Sequence, residues 1–250
     1  MSVLVIDAGN TSTSLARYEE DGRISARSSI RGGILGDRPG CEEAVRRTLE
    51  DGEPRCAMMA SVTPRLDPAW RTLVRNVAGL DLRFVRHDTP SPVRIGYSHP
   101  EATGADRIAN VAAAASLCGT PALVVDIGTA VTYDVISADA VFFTGAIGPG
   151  PGILARSLHD YTAQLPEVEW WNKEAPRLPQ DTEGAMLYGI EAGFRGAIRE
   201  TVASLLPLVG PDAKLVATGG FAPRFVAPLG MGFSIDVDLT LKGVGILALR

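Results

Sequence analysis

The sequence predicts an α/β protein built of two similar lobes, and three observations predict it. First, an apolar, strand-forming run that ends in a carboxylate and a glycine–hydroxyl turn occurs twice. Val3–Thr11 reads VLVIDAGNT and Ala122–Asp134 reads ALVVDIGTAVTYD, an internal repeat of very long period. Second, apolar runs of strand type alternate with segments of helical spacing along the chain. Third, no low-complexity segment or flexible tether interrupts the 250 residues. The lobes, spanning 1–117 and 118–250, are therefore expected to share a cleft rather than swing on a linker.

In order, Val3–Ile6 is predicted as the first strand, with Ser12–Tyr18 returning beside it and Arg23–Ile30 following as a third. Gly32–Gly40 reads as loop. Glu42–Glu50 carries Ala44, Val45, Thr48 and Leu49 at helical spacing and stops at Asp51-Gly52. Cys56–Val62 is a strand halted by Thr63-Pro64, Asp67–Val77 a helix and Arg83–Val85 a strand, followed by a proline-marked loop. This β-β-β-α-β-α-β order fits a ribonuclease-H-like lobe.

From Asp106 a helix buries Ile108, Val111, Ala112 and Ala115. Ala122–Val125 opens the second lobe, and Tyr133–Ile136 and Ala140–Thr144 are its next strands. Gly145–Gly152 reads as a glycine–proline loop and Ile153–Tyr161 as a helix. Gln164–Gln180, with three prolines and the Trp170-Trp171 pair, is an irregular connection. Thr182–Leu206 is a long helix with Leu187, Ile190, Phe194, Ile198 and Leu205 on one stripe. Leu215–Ala217 is a strand, Thr218-Gly219-Gly220 its turn, and a short helix near Phe225, a strand around Phe233–Ile235 and a helix over Leu239–Leu249 complete the chain.

Bulk properties exclude several classes. Hydrophobic residues make up 46%, enough for full cores, and the net charge of −5 argues against nucleic acid or a basic membrane surface as partner. The three cysteines show no CxxC and the three histidines no HxxxH, so neither a disulfide framework nor a protein-built zinc site is expected. No apolar run reaches the ~18 residues of a membrane helix, and the N-terminus lacks a signal peptide's pattern. A cytoplasmic protein is the expectation.

A carboxylate at the end of a buried strand, followed by glycine and hydroxyls, suits phosphate with an intervening cation, usually magnesium with its waters. Asp7 and Asp126 are assigned to that metal. Gly9, Asn10, Thr11, Gly128 and Thr129 are assigned to the phosphate oxygens. One such turn is commonplace, and the duplication is what favours phosphate.

Asp106, in GADR, lies near a helix start. A cap paired with Arg107 is the plain reading, and its place just before the second phosphate turn favours a base for a hydroxyl proton. Thr218, Gly219 and Gly220 are placed against adenine and ribose, an ordinary turn being the alternative. Gly145, Pro149 and Gly150 shape either a pocket or merely the loop, and Trp170-Trp171 receives no function. Two acidic turns clasping one nucleotide resemble the actin-like ATPase fold, shared with heat-shock ATPases and sugar kinases.

Taken in order, the motifs resemble the type III pantothenate kinases nearly end to end. They are DAGNT at Asp7–Thr11, SVTP at Ser61–Pro64, Tyr97–Pro100, GADRIAN at Gly104–Asn110 and DIGTAVTYD at Asp126–Asp134. GAIGPG at Gly145–Gly150, TAQLP at Thr162–Pro166, Asp181-Thr182, TGG at Thr218–Gly220 and LTLKGV at Leu239–Val244 follow. The family's GGxIxPG departs here, with Thr144 in place of its first glycine.

The resemblance implies ATP-dependent phosphorylation of pantothenate at its primary hydroxyl, the first step toward coenzyme A. It makes Asp106 the base, sets Tyr97, Gly104 and Arg107 against pantothenate, and brings Thr182 from a partner subunit of a homodimer. It also implies a monovalent cation, K+ or NH4+, near Asp126 and Thr182. The apolar stripe of the Thr182–Leu206 helix is the expected interface. The competing readings are a kinase for another small alcohol and a non-enzymatic nucleotide-binding regulator of the same fold.

Overall fold

The computed structural model describes residues 2–50 and 52–250; Asp51, expected at a helix end, lies outside the described residues. The chain forms two compact units. One takes the chain up to Thr120 together with Ile136–Phe143 and Asp238–Arg250; the other takes Pro121–Val135 and Thr144–Val237.

In the first unit, β1 (Ser2–Ala8), β2 (Ser12–Glu19), β3 (Ile24–Arg31), β4 (Cys56–Ser61) and β5 (Leu82–Phe84) form a five-stranded sheet of order β3-β2-β1-β4-β5. The β1–β2 and β2–β3 pairs are antiparallel, and β1–β4 and β4–β5 are parallel. Strand β1 is central because it is apolar on both faces. Leu4 and Ile6 join one core with Trp70, Leu73 and Val74, while Val3 and Val5 join another with Ile108, Ala109, Leu241 and Val244. Each fully buried Val, Leu or Ile among them contributes about 1.5–3 kcal/mol.

The first core is covered by α2 (Arg38–Arg47) and α3 (Asp67–Ala78), the second by α4 (Ala105–Leu117) and α8 (Leu239–Ala248). The C-terminal α8, last in sequence order, thus packs in the first unit. Buried Thr240 donates its hydroxyl to Asn110 Oδ1 at 2.8 Å, tying α8 to α4.

The Gly32–Gly40 loop expectation is corrected. A one-turn helix, α1 (Gly33–Gly36), stands there, and α2 begins at Arg38 with the Asp37 carboxylate accepting the Gly40 N–H at 2.8 Å. An aspartate cap with Pro39 in the first turn is a strong start signal that outweighs the glycines.

In the second unit, β7 (Ala122–Ile127), β8 (Ala130–Ile136), β9 (Val141–Pro149), β10 (Lys214–Thr218) and β11 (Ser234–Ile235) run in the order β11-β10-β7-β8-β9. The first residues of β9 return to the first unit. There β6 (Arg94–Ile95) pairs with them in parallel, Arg94 with Val141 and Ile95 with Phe142. The expected Gly145–Gly152 loop is also corrected. Its residues through Pro149 continue β9, and α5 (Pro151–Asp160) starts two residues later. Strand pairing overrides the breaker residues, and a proline at the strand's end forfeits no ladder bond. Thr144 lies within this strand, where a β-branched residue is at ease.

Helix α6 (Thr182–Leu205) turns Leu187, Ile190, Phe194 and Ile198 into the core of its own unit, so the stripe expected at a subunit interface is buried within the unit. The face left exposed carries Ala185, Tyr188, Gly189, Ala192 and Gly193. Trp170 anchors the irregular segment against Phe221 at 4.6 Å and Phe225, the latter on α7 (Ala222–Val226). Among the described residues no helix is long and apolar enough to cross a membrane.

Candidate active site

The first unit brings Tyr97, Gly104, Asp106 and Arg107 together. Asp106 is the second residue of α4, in the turn whose free N–H groups favour an anion. Its Oδ1 accepts the Arg107 backbone N–H at 2.8 Å, which fixes the carboxyl's orientation. Burial raises its pKa above the ordinary aspartate value, partly offset by the Arg107 N–H and charge. A side chain at Gly104 would collide with Asp106 Oδ1, so the residue before the helix must be glycine for the carboxylate to sit there.

The Arg107 guanidinium donates to the Tyr97 hydroxyl at 3.1 Å and lies over two rings, 5.7 Å from the centroid of Tyr97 and 5.1 Å from that of Phe142. A partly buried carboxyl beside a positioned cation and a phenol can take a proton from an alcohol and hold an anionic acceptor.

Asp7, Gly9, Asn10 and Thr11 form the turn between β1 and β2. The Gly9 N–H bonds the Ser12 carbonyl at 3.0 Å, and Asn10, Thr11 and Ser12 are exposed. Strand β4 supports the turn from beside it: Val62 N–H donates to the Ala8 carbonyl at 3.2 Å. The end of β4 is itself fixed by buried Asp67, whose Oδ1 accepts from the buried Ser61 hydroxyl and whose Oδ2 accepts from the exposed Arg86, each at 2.7 Å.

The second unit gathers Asp126, Gly128, Thr129, Thr218 and Gly219. Thr218 pairs with Asp126 across β10 and β7, and Gly219 adopts φ +89 and lies against Asp126 Oδ1 and the Ile127 carbonyl, where any side chain would overlap both. Gly150 closes the other side. Its N–H donates to the Thr129 carbonyl at 3.0 Å, and a methyl there would overlap the Gly128 and Thr129 carbonyls. Gly220 borders open space. Thr182 stands exposed at the start of α6, where its neighbour Asp181 caps the helix by accepting the Gly184 N–H at 2.7 Å.

Two features bear on a bound nucleotide and its metal. Among the described residues no group of three or more His, Cys, Asp or Glu could hold a metal ion on its own. The Thr132 and Thr218 hydroxyls are buried without a hydrogen-bond partner, hydroxyl donors close in sequence or register to Asp126. Single carboxylates with hydroxyls and backbone N–H groups fit a magnesium ion carried mostly by phosphate and water.

The sequence profile of the type III pantothenate kinases matches residues 3–204. The chain belongs to the type III pantothenate kinase family. A family member from Kosmotoga olearia is 34% identical over 254 residues, covering 99% of this chain and 95% of its own length. Another, from Rhodospirillum rubrum, is 32% identical and covers 99% and 98%.

Among solved structures, the chain is similar to a ROK family glucokinase from Streptomyces griseus in complex with glucose and AMPPNP. The TM-score is 0.58 at 12% identity, over 99% of both chains. An activator of 2-hydroxyisocaproyl-CoA dehydratase from Clostridium difficile with bound ADPNP is similar at TM-score 0.58 and 12% identity, over 99% and 94%. The α/β fold of two sheets is thus that of the actin-like ATPases and sugar kinases, as the duplicated turns imply.

Two groups in this pantothenate kinase family member escaped sequence reasoning. Phe142, under Arg107, sits in the apolar run Val141-Phe142-Phe143 and carries no sign there of its partner. The other is the Ser61–Asp67–Arg86 network, of which the sequence shows Ser61 in the SVTP motif and Asp67 only as a helix start.

Proposed function

We propose that this chain phosphorylates pantothenate at its primary hydroxyl with ATP as donor, opening the route to coenzyme A, with Asp106 as general base. Membership of the family supports the reaction, and the cluster of Asp106, Arg107 and Tyr97 supports the roles. Asp106 takes the hydroxyl proton as the acceptor oxygen bonds to the γ-phosphorus. The bond from that phosphorus to the bridging oxygen breaks, and ADP leaves. Burial makes Asp106 a better proton acceptor than an ordinary aspartate, and its bond to the Arg107 N–H keeps it oriented. Arg107 and Tyr97 hold the acceptor, the cation matched to pantothenate's carboxylate.

The nucleotide is assigned to the two turns. Asn10, Thr11 and Thr129 donate to phosphate oxygens. Gly9, Gly128 and Gly219 let the backbone approach, with Thr218 and Gly220 beside the nucleoside. Asp7 and Asp126 hold magnesium or its waters. When bound, magnesium neutralises the phosphate charge that opposes attack. We assign K+ or NH4+ to the neighbourhood of Asp126 and Thr182. A homodimer supplies Thr182 from the partner, through the exposed small-residue face of α6 (Ala185, Gly189, Ala192, Gly193). The reaction belongs in the cytoplasm, where ATP and pantothenate meet.

The test is ADP release by the purified protein with ATP, magnesium and pantothenate, in potassium or sodium salts, with phosphopantothenate followed by mass. Turnover that depends on pantothenate and rises in potassium is expected. Tight ATP binding without turnover would favour the regulator, and turnover only with another alcohol would favour the other kinase.

A further inference from the structure

We infer that Phe142 is a positioning residue for acceptor recognition, and that it makes the site discriminate a carboxylate-bearing acceptor from its neutral analogue. The inference rests on the acceptor reading above, because it works through Tyr97 and Arg107. Three observations carry it.

Phe142 is fully buried, so its ring has one fixed place. Its ring lies 4.9 Å from that of Tyr97, and the Arg107 guanidinium lies 5.1 Å from its centroid. Its backbone carbonyl accepts the Gly96 N–H at 2.8 Å, which fixes the residue immediately before Tyr97. One residue of β9 thus holds Tyr97 through the main chain, packs a tilted ring against that of Tyr97 and lies under the Arg107 guanidinium.

The chemistry follows from the shape of guanidinium. Stacking on an aromatic face engages the planar cation through its face, and a carboxylate is bound through its N–H edge, so the two uses do not compete. An arginine held over a buried ring and bonded to the Tyr97 hydroxyl is restricted to fewer orientations before the ligand arrives. Less freedom is lost on binding, and the gain falls on ligands that use the N–H fork. A ligand with a hydroxymethyl group where pantothenate has its carboxylate cannot use that fork and gains little from the order.

The experiment compares pantothenate with pantothenyl alcohol as acceptors, measuring KM and kcat for each and KM for ATP. Wild type is expected to prefer pantothenate. In Phe142→Leu the KM for pantothenate should rise about tenfold, a loss of about 1.4 kcal/mol in binding. The KM for pantothenyl alcohol, the KM for ATP and kcat should stay within about twofold.

Replacing Phe142 by pentafluorophenylalanine keeps the ring's volume and reverses its charge distribution, so the same selective rise is expected without a packing defect. In an Arg107→Gln background neither change should add a further rise, because the effect passes through Arg107. An unchanged pantothenate KM in either variant, or a parallel rise for both acceptors or for ATP, overturns the inference. Absence of pantothenate turnover in the wild type overturns the kinase reading instead, so the two failures are separable.

Discussion

The Asp7 turn and the Asp126 turn share one sequence design and are held in different ways. Both follow a strand buried on both faces, and both place a carboxylate, a glycine and a threonine within five residues. The Asp126 turn is gripped from two sides, by Gly150 against the Gly128 and Thr129 carbonyls and by Gly219 against Asp126 and Ile127. The Phe221 N–H adds a bond to the Ile127 carbonyl. The Asp7 turn is held by backbone bonds instead, Val62 N–H to the Ala8 carbonyl at 3.2 Å and Gly32 N–H to the Thr11 carbonyl at 2.7 Å. Gly9 leaves 3.1 Å to the Ser12 carbonyl, and the following three residues are exposed. The two turns share a sequence design and differ in what holds them, backbone bonds at the first and close glycine packing at the second. The stiffness of the second turn comes from glycines distant in the chain.

Asp106 lies on neither turn, so its removal should separate proton transfer from phosphate holding and produce the largest effect. Asp106→Asn should lower kcat by about 10²- to 10⁴-fold, the usual worth of a positioned acid or base, while ATP still binds. The pH profile carries the sign of its environment. As the proposed base, Asp106 acts in its ionised form, and burial raises its pKa, so kcat/KM for pantothenate should fall on the acid side above the ordinary aspartate range of about 3.9.

Stability runs the other way. A folded-state pKa above the unfolded value gives stabilisation that is complete below the unfolded pKa and is lost as pH rises through the folded one. At neutral pH the ionised Asp106 is therefore a cost to folding, and Asp106→Asn should leave the melting temperature unchanged or raised. Turnover surviving in this variant would remove Asp106 from the base role. A lowered melting temperature would place its importance in the fold.

The second-largest effect should come from the grip on the Asp126 turn. Gly150→Ala and Gly219→Ala force a methyl into backbone atoms, and overpacking of this sort costs about 1–3 kcal/mol. Gly219, at φ +89, adds about 1–2 kcal/mol for holding an L-residue in the left-handed region. Urea denaturation reads the loss, and the KM for ATP should rise with it while the KM for pantothenate holds. If Gly219→Ala melted like wild type, the claimed stiffness of the second turn would be wrong.

The legibility of this molecule in its sequence follows the range of the forces involved. The strands carrying Asp7 and Asp126, and the helix beginning at Asp106, were readable because apolar runs and helical spacing are local signals. The Gly32–Gly40 stretch reads as loop, whereas the Asp37 cap and Pro39 start a helix inside it. The Gly145–Gly152 stretch was misread because pairing with distant strands decides whether a glycine run becomes a strand. The stripe of α6 was readable as apolar but not as to what it faces, since Leu187, Ile190 and Phe194 look the same toward a core or a partner. The supports of the site, Phe142 under Arg107 and Gly150 against Thr129, are contacts across many residues, and no local pattern announces them.

The smallest effect expected is also the sharpest check on the comparison. In Gly9→Ala the new methyl would meet one atom, the Ser12 carbonyl oxygen at 3.1 Å, so a shift of a few tenths of an ångström relieves it. Gly9 is not among the glycines with positive φ, so no left-handed strain is added. The stability cost should be below about 1 kcal/mol, against several for Gly219→Ala. Function need not follow stability, because a methyl on this turn also stands where backbone is to approach phosphate. A raised KM for ATP with a nearly unchanged denaturation midpoint would mark the Asp7 turn as a pliable phosphate contact. A midpoint loss equal to that of Gly219→Ala would mean that the two turns are equally rigid and that the glycines around Asp126 have no special part.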